Sequence, residues 1–167
     1  PFTYVATAEV IALLGATPVF VDVYDSTFNI DCEKLEIAIQ DTIKNGELTP
    51  KAIIPVDLFG VPARYRLIDS IAKKYNLKVI EDGAQSFGAS IGEKKVGTFG
   101  DVAATSFYPA KPLGCYGDGG AIFTNNDSLA DKCKAIRIHG TSSDRYNSEV
   151  IGLNGRLDSM QAAVLLE

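Results

Sequence analysis

Apolar positions along the chain alternate between helical spacing and short continuous runs. Residues 7–14 read as a helix, with Gly15 after them as a stop signal. Pro18-Val-Phe-Val-Asp-Val is dense in β-branched and aromatic residues and predicts a strand. Asp31 is a candidate N-cap for a helix over 32–44, where Leu35, Ile37, Ala38 and Ile43 supply the apolar faces. A second strand is expected over 52–56, a helix over 65–75 and a third strand over 77–82. Two more strands follow at 102–107 and 121–124, with helices at 128–138 and 157–166. Short apolar strands separated by helices predict an α/β fold with a mainly parallel central sheet flanked by helices.

In such a sheet, ligands bind beyond the carboxyl ends of the strands. The candidate chemistry therefore lies where a polar residue ends an apolar strand. Asp82, which closes Val79-Ile80-Glu81, and the segment 106–111 both meet that condition. On its own Asp82 reads first as a turn or N-cap residue. The alternative is a fixed anion for a cationic ring nitrogen. Lys111 lies four residues beyond the strand end at Phe107, between Pro109 and Pro112, in a stiff loop that cannot become helix. On position alone a lysine is usually a solvated charge. As a nucleophile it would have to shed a proton held with a reference pKa of about 10.4, which burial beside other cations favours.

Composition narrows the function. The chain has 167 residues, 46% of them hydrophobic and 22% charged, and a net charge of -5, which fits one ordinary globular unit. No basic run suggests a nucleic-acid surface. No apolar stretch is long enough to span a bilayer, and no leader is legible. Cys32, Cys115 and Cys133 form no C-x-x-C pair, which suits a reducing cytoplasm. A single histidine, His139, leaves little for a metal site, and none is expected; His139 and Cys115 read as structural. Gly114-x-x-Gly117-x-Gly119-Gly120 is not a dinucleotide fingerprint, because it runs into a strand, and the segment 88–94 has the wrong spacing for a P-loop.

Several separated motifs then occur in one order: Pro-Phe-Thr-Tyr-Val-Ala-Thr-Ala-Glu, Leu-Gly-Ala-Thr-Pro-Val-Phe-Val-Asp-Val, Ile-Ile-Pro-Val-Asp-Leu-Phe-Gly, Ile-Glu-Asp-Gly-Ala-Gln-Ser-Phe-Gly-Ala, the Lys111 segment, and Gly-Leu-Asn-Gly-Arg-Leu-Asp-Ser-Met-Gln-Ala-Ala. Together they resemble the DegT/DnrJ/EryC1/StrS sugar aminotransferases nearly end to end. The resemblance implies a fold type I large domain that binds pyridoxal 5'-phosphate (PLP). Residues 1–167 would be its central part, with an upstream phosphate-binding segment and a C-terminal small domain outside the chain; the start at Pro1 and the stop at Glu167 within a helical pattern agree.

The resemblance also implies roles. Lys111 matches the Schiff-base lysine, Asp82 the partner of the pyridine nitrogen, Gln85 a neighbour of the ring's phenolic oxygen and Ser106 a phosphate-binding hydroxyl. Tyr4 matches an aromatic that stacks on the ring. Asn154 and Arg156 match a loop that enters the neighbouring subunit's site in a homodimer, Asn154 toward the phosphate and Arg156 toward an acidic substrate group. The implied reaction is ping-pong transamination of a nucleotide-linked keto sugar, with glutamate as amino donor, for surface-polysaccharide synthesis. The lysine loop looks most like that of enzymes acting on UDP-2-acetamido-2-deoxy-3-oxo-hexuronates, and next like those acting on dTDP-3-keto-6-deoxyhexoses. A dehydratase branch carries His where this chain has Lys111, which argues against it. A non-catalytic sensor that binds PLP or a sugar nucleotide is the other class left open.

Overall fold

In the computed structural model, which describes residues 1–141 and 146–167, a four-stranded sheet organises the chain. Its strands are β1 (Ala52–Ile53), β2 (Lys78–Asp82), β5 (Val102–Ser106) and β6 (Gly120–Phe123), in the order β1-β2-β5-β6. β1 and β2 are parallel, as are β2 and β5, while β6 returns antiparallel to β5. The sheet is therefore mostly parallel with one antiparallel edge. A small hairpin of β3 (Ser90–Ile91) and β4 (Lys94–Lys95) fills the connection from β2 to β5. The sequence pattern misses it because each strand has only two residues, both exposed.

The helices form where the spacing predicts them. They are α1 (Ala6–Leu13), α2 (Cys32–Asn45), α3 (Tyr65–Tyr75), α4 (Asp127–Arg137) and α5 (Ser159–Val164). Asp31 caps α2 as expected, its carboxylate accepting the N–H groups of Glu33 and Lys34. Gly46 ends that helix at φ 73, a conformation that glycine adopts without strain. Asn126 caps α4 through the N–H of Leu129.

Residues 18–23 correct the sequence reading. They form no strand: among the described residues the segment's only pairing is a bridge from Val23 to Ile30. A strand needs a ladder partner, and here Val19 and Phe20 stay exposed while Val21 packs against the core. The strand expected over 52–56 is shortened as well. Pro55 has no N–H to give to a ladder, so pairing resumes only at the bridge from Val56 to Asp82.

One face of the sheet carries the core. Leu35 and Ile39 of α2 and Ile68, Ile71 and Ala72 of α3 pack on Ile53 and Val79. Alternation along β2 sends Val79 and Glu81 to this buried face and turns Ile80 and Asp82 to the other. Thus the strand that anchors the core also presents Asp82 at its carboxyl end, away from it.

Candidate active site

Two adjacent parallel strands build the site from their carboxyl ends. β2 ends at Asp82, which is in register with Ala104, so Ser106 lies two residues further along β5. The loops beyond are tied together: Thr105 Oγ1 donates to the carbonyl of Gly83 at 3.0 Å, and the Gly83 N–H donates to Ala104 at 2.8 Å.

Asp82 sits in a fixed pose. Its Oδ1 accepts the N–H of Ala84 at 3.2 Å and its Oδ2 accepts the Thr7 hydroxyl at 2.8 Å. Three residues on, the Gln85 side chain turns its oxygen to the N–H of Phe59 at 2.7 Å. Phe59 holds a left-handed backbone, φ 55 and ψ 22, in the 3₁₀ turn Leu58–Gly60, and its ring packs against Phe2 and Phe28. Gln85 and Phe59 then line a cleft of about 370 Å³ together with Ala110, Lys111 and Pro112.

The Lys111 loop closes on itself. The Phe107 N–H donates to Gly119 at 2.7 Å and the Cys115 N–H donates to Phe107 at 2.8 Å. Cys115 is buried and its thiol donates to the carbonyls of Phe107 and Gly117, the packing role the sequence suggests. The Lys111 N–H donates to Tyr108 at 2.9 Å. Among the described residues the Lys111 ammonium has no carboxylate partner, so its amine is available to the cleft. Ser106 Oγ accepts the N–H of Tyr108 at 3.2 Å, which leaves its own hydroxyl proton to donate.

Behind the cleft lies a buried polar frame that sequence reasoning does not find. Asp57 is fully buried and accepts from the Ala63 N–H and the Tyr65 hydroxyl, both at 2.8 Å, and from Ser86 Oγ at 3.1 Å. Burial pushes its carboxyl up to about 6 despite these bonds. Burial and the adjacent Asp57 also push the Tyr65 phenol upward. Through Ser86, Asp57 pins the turn that presents Asp82 and Gln85. The second buried carboxylate, Glu81, accepts the N–H groups of Gly97 and Phe99 and so fastens the loop that precedes β5.

Of the predicted residues, the structure brings Lys111 and Gln85 to one cleft and sets Asp82 and Ser106 on the adjoining strand ends. The other three stand apart. Tyr4 is 72% exposed just before α1 and does not line the cleft. Asn154 and Arg156 are exposed, bonded to each other (Arg156 Nε to Asn154 Oδ1, 3.0 Å) and held against the end of α4 by the bridge from Asn154 to Ile138. Thr7, Asp57 and Phe59 are additions. Their partners lie up to 75 residues away in the chain, and no local pattern encodes such a pairing.

The DegT/DnrJ/EryC1/StrS aminotransferase family model matches residues 1–167. The chain belongs to this family. Among its relatives, the UDP-2-acetamido-2-deoxy-3-oxo-D-glucuronate aminotransferase of Pseudomonas aeruginosa is 54% identical over 99% of this chain and 44% of its own length. A DegT DnrJ EryC1 StrS aminotransferase from Brucella abortus superimposes with a TM-score of 0.97 at 57% identity, over 99% of this chain and 44% of that one. NtdA from Bacillus subtilis, solved with bound cofactor PMP, gives a TM-score of 0.83 at 36% identity, over 98% of this chain and 36% of that one. The chain thus spans less than half the length of these DegT/DnrJ/EryC1/StrS relatives. Its mostly parallel sheet flanked by helices is the fold of these PLP-dependent aminotransferases.

Proposed function

We propose that this chain is the central part of the large domain of a PLP-dependent aminotransferase acting on a nucleotide-linked 3-keto sugar of the UDP-2-acetamido-3-oxo-hexuronate type, with glutamate as amino donor. One observation carries the reading: an amine (Lys111) and an amide (Gln85) share one cleft beside a carboxylate (Asp82) and a hydroxyl (Ser106) at adjacent strand ends. This donor set fits PLP, which combines an aldehyde, a basic ring nitrogen, a phenolic oxygen and a phosphate.

When bound, PLP supplies an electron sink next to the reacting carbon. Lys111 Nζ is the group that would hold the cofactor and would serve as the base that moves a proton at the substrate carbon. One amine could serve both half-reactions, because the donor's displacement of it leaves it free in the same cleft until the second half-reaction restores the bond. Asp82 keeps the ring nitrogen protonated. Gln85 presents its Nε2 to the phenolic oxygen, since its oxygen is committed to Phe59. Ser106 would donate its remaining proton to the phosphate, and Tyr4, which stands outside the cleft, would reach the ring only by turning from its exposed position.

Asn154 and Arg156 serve the site of a second copy in a homodimer, Asn154 at the phosphate and Arg156 at the uronate carboxylate, which suits its bidentate fork. Their position away from the chain's own cleft supports this. Three free cysteines fit the reducing cytoplasm.

Incubating the full-length, PLP-loaded protein with glutamate tests the transaminase reading through release of 2-oxoglutarate; its absence would favour a sensor. Arg156→Met is expected to raise KM for the uronate sugar at least about tenfold and to leave a neutral dTDP-3-keto-6-deoxyhexose unaffected. Equal effects on both sugars would remove Arg156 from that role.

A further inference from the structure

One side-chain hydrogen bond to Asp82 comes from 75 positions earlier, from a helix to which the sequence assigns no chemistry. Thr7 is the second residue of α1, and its hydroxyl donates to Asp82 Oδ2 at 2.8 Å. A threonine in a first helical turn usually spends its hydroxyl on the helix's own unpaired N–H groups. Here those groups are met by backbone carbonyls: Thr7 donates to Tyr4, and Ala8 and Glu9 donate to Val5. The Thr7 hydroxyl is therefore free to reach the sheet.

The direction of the bond is determined. Thr3 Oγ1 lies 3.0 Å from Thr7 Oγ1. A hydroxyl carries one proton, and that of Thr7 is given to Asp82, so Thr3 must be the donor to Thr7. The result is a one-way relay, Thr3 to Thr7 to Asp82, in which each bond polarises the next. At its end Oδ2 is held by Thr7 and Oδ1 by the Ala84 N–H. With one donor on each oxygen, rotation of the carboxylate about its Cβ–Cγ bond is locked.

We infer that Thr7 is the positioning residue for Asp82, with Thr3 as its support, and that this relay sets the alignment of the carboxylate toward the cofactor's ring nitrogen. The inference rests on the reading of Asp82 given above. It also explains why α1, which buries none of its residues, is nonetheless tied to the site: its polar link to the sheet is this hydroxyl.

The test uses the full-length protein loaded with PLP labelled with ¹⁵N in the ring, and reads the ring-nitrogen resonance, which reports protonation and not turnover. Asp82→Asn should displace the resonance toward the unprotonated position. Thr7→Val should move it from the wild-type position toward that of D82N, Thr3→Val should move it less and in the same direction, and Thr7→Ser, which keeps the hydroxyl, should restore it. If D82N is displaced while T7V stays at the wild-type position, the relay is overturned and the Asp82 reading stands. If T7S is displaced as far as T7V, keeping the hydroxyl does not keep the alignment, and the inference is equally overturned. If D82N itself leaves the resonance in place, the reading of Asp82 fails. Should T7V not fold, T3V decides: a partial displacement supports the relay and none overturns it.

Discussion

The side-chain oxygen of Gln85 accepts the backbone N–H of Phe59 at 2.7 Å, which leaves Nε2 as the part of the amide available to the cleft that both residues line. Gln85→Glu keeps an acceptor for Phe59 and replaces the donor by an oxygen. It is expected to weaken PLP binding about tenfold or more, because a hydrogen bond to a charged oxygen is lost and repulsion takes its place. The melting temperature should hardly change. Equilibrium dialysis with a melting curve checks both, and wild-type affinity in Q85E would contradict the donor role.

Asp57 makes stability depend on pH. Its folded-state pKa is raised from 3.8 to about 6, chiefly by burial. Between those values the native state still holds the proton that the unfolded chain has released, so stability falls as pH rises through this window. Asp57→Asn carries no such proton and keeps an oxygen for Ala63 and Tyr65. Wild type should therefore lose roughly 2–3 kcal/mol relative to D57N between pH 4 and pH 7, measured by urea unfolding across that range. Parallel pH profiles would show that Asp57 does not titrate there.

Glu81→Gln is nearly isosteric, yet it should destabilise the fold by about 1–3 kcal/mol. Both carboxylate oxygens accept backbone N–H groups, from Gly97 and Phe99. An amide offers one oxygen and sets an NH₂ against the other N–H. Thermal unfolding of the two proteins measures the difference.

The lysine loop depends on Gly114. A Cβ there would stand 2.8 Å from the Pro109 carbonyl oxygen and 3.0 Å from that of Tyr108, so the loop between them can close only around a glycine. Gly114→Ala should displace Lys111 and slow its covalent capture of PLP about tenfold to a hundredfold, read by stopped-flow absorbance. A wild-type rate would show that the loop yields at no cost to Lys111.

How much of this was legible in the chain follows from range. The helices over 32–45 and 65–75 declare themselves through apolar spacing and caps, because those signals are local. Strand ends carry Asp82 and Ser106 in view for the same reason. The segment 18–23 misled because β-branched density describes a residue's preference and not its partner, and among the described residues no ladder partner stands beside it. Thr7, Phe59 and Asp57 were illegible because each acts through a contact made only when distant loops meet. Asp57 in particular resembles any turn aspartate until Tyr65 and Ser86 fold onto it.

Everything proposed for this site turns on Lys111 as the residue that holds the cofactor. Borohydride reduction of the full-length protein loaded with PLP, followed by peptide mapping, tests this directly. The expected result is a single reduced adduct on Lys111, lost in Lys111→Ala. An adduct on another lysine, or none on Lys111 in a protein that binds PLP, would contradict it.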